Sequence, residues 1–216
     1  MTTSSRHSPV RVKICGITRL EDAELAVDLG ASAIGFVFWP DSPRFVDPER
    51  ARDIVSALPA FVMPIGVFVD QPAEFVREVA ARTGLGAVQL HGHESTTYAR
   101  ELGLRVVKAV TMRRAAAEGV LDQWAHATIL LDAEDTERRG GTGRTIDWNA
   151  AAAVARRRPI VLAGGLRPDN VGEALRVVRP AGIDVSSGVE QAPGAKDPNL
   201  MRAFFTAVAD AAARVA

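Results

Sequence analysis

The 216-residue chain contains one cysteine. That excludes an internal disulfide and fits a reducing compartment. It has no excess of either charge, with 26 Lys plus Arg against 26 Asp plus Glu. No global field therefore recruits nucleic acid or an anionic membrane surface. No apolar run approaches the roughly 20 residues needed to span a bilayer. Residues Met1 to Pro9 are polar, with neither an apolar signal core nor a cleavage pattern, so they read as a frayed tail ahead of a chain expected in the cytoplasm. Linkers, low-complexity tracts and short internal repeats are also missing. One domain over residues 10–216 is the expected organisation.

What the sequence does have is alternation. Short apolar runs rich in Val and Ile recur at Val10–Cys15, Ala33–Phe38, Met63–Val69, Ala87–Leu90, Val106–Val110, Ile129–Leu131, Ile160–Ala163 and Ile183–Val185. Stretches with helical spacing follow them, several opened by a capping Asp: Asp47-Pro48, Asp147-Trp148 and Asp197-Pro198. Strand–helix alternation implies parallel strands with right-handed crossovers. An open doubly wound sheet and a closed (β/α)₈ barrel both satisfy it. Even spacing of about 25 residues per unit, and no Gly-x-Gly-x-x-Gly after the first strand, favour the barrel. Gly119 and irregular spacing predict a short or irregular fifth helix.

In such a barrel the active site lies at the C-terminal ends of the strands. Strand side chains alternate faces, which places Lys13 and Cys15 inside the barrel while Val12 and Ile14 face the helices. By the same alternation Gln89 and His91 point inward, as do Asp184 and Ser186. Lys108 and Asp132 likewise interrupt apolar runs near their C-terminal ends. Interior charges are costly unless paired or used, and so many at one end of the barrel point to use. Glycines add a second signal. Gly140-Gly141-Thr142-Gly143 follows the sixth strand, Gly164-Gly165 the seventh, and Ser186-Ser187-Gly188 the eighth. Bare backbone N–H groups after strands seven and eight, with a short extra helix, form the phosphate site of many barrels. A small phosphorylated molecule is the expected partner. Trp39, Trp124 and Trp148 read as packing residues.

Together these residues resemble the phosphoribosylanthranilate isomerase family. The resemblance is carried by Lys13-Ile-Cys15-Gly16-Ile-Thr18, Gly35-Phe-Val-Phe38, Ser42-Pro43-Arg44-Phe-Val46, Gly66-Val-Phe-Val69, Val88-Gln89-Leu90-His91-Gly92 and Leu131-Asp132-Ala133. It continues through Gly140-Gly-Thr-Gly143-Arg144 to Asp147-Trp148, Leu162-Ala-Gly164-Gly165-Leu166 and Asp184-Val-Ser186-Ser187-Gly188-Val-Glu190. Single pieces are common, but the ordered set is specific. Arg144 stands where the family often has Lys.

The resemblance implies a barrel enzyme of tryptophan biosynthesis that rearranges N-(5-phosphoribosyl)anthranilate to its 1-deoxyribulose form without cofactor or metal. It implies Asp132 as the acid that opens the ring and Cys15 as the base that takes the C2′ proton. Lys13, Arg44, His91 and Asp184 would bind substrate, with Arg44 on the anthranilate carboxylate. Gly164, Gly165, Ser186, Ser187 and Gly188 would hold the phosphate. Such chemistry asks that Lys13 shift Cys15 toward thiolate. Either a monomer or a homodimer is compatible with it. An indole-glycerol-phosphate synthase would want several catalytic Lys and Glu. A metal-dependent epimerase would want a His/Asp set, and a non-catalytic phosphate sensor would not need an acid and a base.

Overall fold

The computed structural model describes residues 10–117, 119–132 and 147–213. The predicted tail over residues 1–9, and the Gly140–Gly143 segment with Arg144, lie outside the described residues. Within them, eight parallel strands close into a barrel in sequence order. They are β1 (Arg11–Cys15), β2 (Ala33–Val37), β3 (Met63–Phe68), β4 (Ala87–Leu90), β5 (Val106–Thr111), β6 (Thr128–Asp132), β7 (Ile160–Leu162) and β8 (Gly182–Val185). β1 pairs with both β2 and β8, so no edge is left open. No described helix is long and apolar enough to cross a membrane.

The helices begin where the sequence offers caps. The Asp47 carboxylate accepts from the Glu49 N–H at the start of α2 (Pro48–Ala57), with Pro48 set in the first turn. Asp147 caps α7 (Trp148–Arg157) and Asp197 caps α9 (Pro198–Ala213) in the same way. α1 (Leu20–Asp28), α3 (Ala73–Thr83), α4 (Thr96–Leu102) and α8 (Val171–Val178) complete the regular crossovers. The fifth crossover is broken as expected. It consists of α5 (Met112–Ala116) and α6 (Val120–Gln123), the latter preceded by Gly119 at φ 75°.

Two cores result. The larger lies between strands and helices and includes Val12, Ile14, Leu90 and Leu131. The barrel interior is filled by smaller groups in layers, among them Ala33, Ile65 and Ala87, then Ala109, Leu130 and Ala163. The top layer is Cys15, Val37 and Val67, with Trp39 packed against it.

Lys108 departs from the expected interior cluster. Its neighbours Val107 and Ala109 fill the barrel, so Lys108 points to the helix side. There its Nζ donates to Glu94 at 2.7 Å and to the Gly92 carbonyl at 2.8 Å, beneath the Trp124 ring. The interior polarity at the strand ends comes from the other residues.

Candidate active site

A cavity of about 560 Å³ opens at the C-terminal ends of the strands, within the size range of small-ligand sites. Cys15 closes β1 and Asp132 closes β6, and both reach this cavity from 8% exposed positions. β7 and β8 stand between their strands, so the two groups address the cavity from separate sides. His91 lies just past β4, its Nε2 3.3 Å from an Asp132 carboxylate oxygen. The Gln89 amide nitrogen is 3.0 Å from His91 Nδ1. If that amide donates, the imidazole proton sits on Nε2 and faces Asp132.

Lys13 sits beneath the cavity without lining it. Its Nζ donates to Asp184 at 2.9 Å, and the pair is buried. Burial opposes the Lys13 charge, but Asp184 and Cys15 outweigh it and hold the ammonium well above its ordinary value. Lys13 acts on the thiol in the expected direction, but burial outweighs it. Burial pushes Cys15 up from its ordinary value, and Asp184 adds to the rise; Lys13 and Lys196 oppose it without overcoming it. The cation that was to favour a thiolate is already shared with a carboxylate.

The loops after β7 and β8 meet at the wall of the cavity. Gly164, Gly165, Ser186, Ser187 and Gly188 all line it. The expected extra helix is a 3₁₀ turn over Ser187–Val189. A side chain at Gly188 would run into the Leu166 carbonyl, so only a glycine lets the two loops approach this closely. Asn170 fixes the β7 loop by accepting from the Arg167 N–H at 2.8 Å and donating to the Gly165 carbonyl at 2.9 Å.

Arg44, from the loop after β2, also lines the cavity, but it is not a solitary cation. Its guanidinium forks onto Glu190, with Nη2 to Oε2 at 2.7 Å. Glu190 opens β9 (Glu190–Ala192), which pairs with β10 (Ala195–Lys196) in a hairpin that the sequence pattern did not reveal. Trp39 is a second departure: it lines the cavity as well as packing. Trp124 and Trp148 pack in the core as expected.

A closed eight-stranded barrel with buried ionisable groups converging on one cavity at its C-terminal face is the architecture of a (β/α)₈-barrel enzyme. The family model described as N-(5'phosphoribosyl)anthranilate (PRA) isomerase matches residues 12–207. The chain belongs to this family of isomerases. It is 48% identical over 196 residues to the N-(5'-phosphoribosyl)anthranilate isomerase of Geobacter metallireducens, covering 91% of this chain and 97% of the relative. The solved structure of phosphoribosyl anthranilate isomerase from Thermus thermophilus superposes with a TM-score of 0.85 at 42% identity, covering 93% of this chain and 99% of that one. Another family structure, in complex with reduced 1-(o-carboxyphenylamino)-1-deoxyribulose 5-phosphate, matches with a TM-score of 0.81 at 42% identity. It covers 93% of this chain and 99% of that one.

Proposed function

We propose that this chain carries out the Amadori rearrangement of N-(5-phosphoribosyl)anthranilate to 1-(2-carboxyphenylamino)-1-deoxyribulose 5-phosphate in L-tryptophan biosynthesis. Asp132 serves as general acid and Cys15 as general base. The observation that carries the reading is that Cys15 and Asp132 end different strands yet line the same cavity. That cavity is also lined by a forked arginine and by a pair of glycine- and serine-rich loops.

The chemistry follows from this layout. With the phosphate on the backbone N–H groups and hydroxyls around Gly164, Gly165, Ser186, Ser187 and Gly188, the anthranilate carboxylate is directed to Arg44. The ribose then lies between Asp132 and Cys15. Asp132 gives a proton to the ring oxygen, and the C1′–O bond opens as the anthranilate nitrogen lone pair forms the Schiff base. Cys15 takes the C2′ proton, leaving an enolamine that tautomerises to the ketone. Asp184 holds a ribosyl hydroxyl, with Lys13 behind it. His91 orients the Asp132 carboxyl. These steps are proton transfers and electron-pair shifts within one molecule, whose change of oxidation level is internal, so the chemistry calls on neither a metal nor a redox cofactor. The partner is a small phosphorylated molecule, and the cytoplasm, where such intermediates are made and consumed, is the setting.

The deciding experiment adds purified protein to phosphoribosylanthranilate and follows the loss of substrate fluorescence, alongside complementation of a tryptophan auxotroph lacking this step. Turnover and growth are the expected results. Tight phosphate binding without turnover would instead identify a non-catalytic sensor.

A further inference from the structure

Three charged side chains at the cavity wall form one unit: Arg44, Glu190 and Lys196. Glu190 accepts from Nε and Nη2 of Arg44, the side-on edge of the guanidinium. The end-on edge, Nη1 with Nη2, is the face left for a second carboxylate. Arg44 lines the cavity, whereas Glu190 and Lys196 sit behind it with side chains 4% and 0% exposed. The arginine stem lies over Gly16, whose φ is 75°. A Cβ there would come within 2.7 Å of the Arg44 Cδ. Both the stem and one edge of the head are therefore fixed before any ligand arrives.

A carboxylate so close has a cost, because Glu190 cancels the charge that a ligand carboxylate would seek. Lys196 restores it. Its Nζ donates to Glu190 Oε1 at 2.8 Å, to the Cys15 carbonyl at 2.6 Å and to the Ser186 carbonyl at 3.3 Å. Arg44 and Lys196 against Glu190 leave one net positive charge, and the only member of the unit that meets the cavity is the arginine.

We propose that Glu190 and Lys196 are positioning residues that make Arg44 a receptor for a carboxylate, Glu190 by aiming its end-on edge and Lys196 by supplying the net charge. Resting on the reading that Arg44 meets the anthranilate carboxylate, this names the groups that give that end of the site its specificity. It also explains the hairpin. β9 and β10 bring Glu190 and Lys196 to the same spot, and the strand-like pairing is anchored where Asp22 accepts from the Lys196 N–H.

The test measures competitive inhibition by two ligands, the reduced product 1-(2-carboxyphenylamino)-1-deoxyribitol 5-phosphate and its phenylamino counterpart lacking the carboxylate. The readout is the ratio of their affinities. Lys196→Met is expected to lower that preference about tenfold. Adding Glu190→Gln, which returns the net charge to one, is expected to recover part of the loss. Should Lys196→Met fail to fold, Lys196→Gln, which keeps a donor toward the two carbonyls, takes its place. An unchanged ratio, an equal weakening of both ligands, or a double variant worse than the single would each overturn the proposal and leave a merely structural role. Arg44→Ala tests the underlying reading separately. If it leaves the ratio intact, the carboxylate lies elsewhere and the assignment of Arg44 fails, whatever Lys196 does.

Discussion

Lys13 and Asp184 form a buried ion pair at 2.9 Å across neighbouring strands β1 and β8, and Cys15 lies two positions beyond Lys13 on the same face. The pair sets the charge beneath the thiol. Lys13 opposes the upward push that burial gives Cys15, while Asp184 reinforces it. The readiness of Cys15 to ionise is thus set by burial and Asp184 on one side and by Lys13 and Lys196 on the other.

Replacing Lys13 by Met should therefore raise the thiol further. The reactive form is the thiolate, so alkylation of Cys15 by iodoacetamide accelerates as pH rises through the thiol's titration. In the wild type that rise is expected above the ordinary thiol value, because burial dominates. In Lys13→Met the whole curve should move to higher pH, and the acid-side limb of the pH–kcat profile should move with it. An unmoved alkylation curve would show that Lys13 does not govern the thiol.

Cys15→Ala and Asp132→Asn separate binding from chemistry. Each removes a proton-transfer group while leaving Arg44 and the glycine loops in place, so kcat is expected to fall by about 10³-fold, within the range typical of a positioned acid or base. Affinity for the reduced product should stay within about threefold of wild type, since its binding draws on the other contacts. Single-turnover kinetics and inhibitor titration check the two halves. Near-full turnover in either variant would remove that residue from the mechanism.

These expectations draw on features that differ in how far sequence reveals them. The apolar runs predicted the barrel strands closely; β4 spans Ala87–Leu90 in both readings. Strands buried on both faces carry Val and Ile throughout, so their existence is plain. The same property hides orientation, because Val106 to Val110 is apolar on either side of Lys108. Only the layers of the folded barrel show that Lys108 belongs with the helices. The Glu190–Lys196 hairpin was not legible at all. Glu-Gln-Ala and Ala-Lys carry no alternating apolar pattern, and their pairing depends on distant anchors at Arg19 and Asp22. For Cys15, sequence shows the neighbouring lysine but not the carboxylate that engages it.

Glu94 and Lys108 give a stability prediction distinct from the catalytic ones. Glu94 accepts from the Asp70 and Gly92 N–H groups as well as from Lys108, so it ties the loop carrying His91 to the end of β3 and to β5. Lys108→Met strands a buried carboxylate and should cost about 3–5 kcal/mol in urea unfolding. Glu94→Gln in the Lys108→Met background should recover part of that loss by removing the unpaired charge. A double variant no more stable than Lys108→Met would show that the pair's charge is not what stabilises this loop.

Gly188→Ala probes the phosphate end. At Gly188 the β8 loop presses against the Leu166 carbonyl of the β7 loop, and that carbonyl belongs to the backbone and cannot rotate aside like a flexible side chain. A methyl group there must move one loop or the other. Either shift carries Gly165 or Ser187 away from the common cavity wall they now share. Inhibition by inorganic phosphate should then weaken about tenfold, with KM for the phosphorylated substrate rising in parallel and kcat falling less. The KM-against-kcat split matters here. A uniform loss of turnover would mean that the displaced loop disturbs Cys15 or Asp132 as well. Unchanged phosphate inhibition would mean that the phosphate does not sit between these loops.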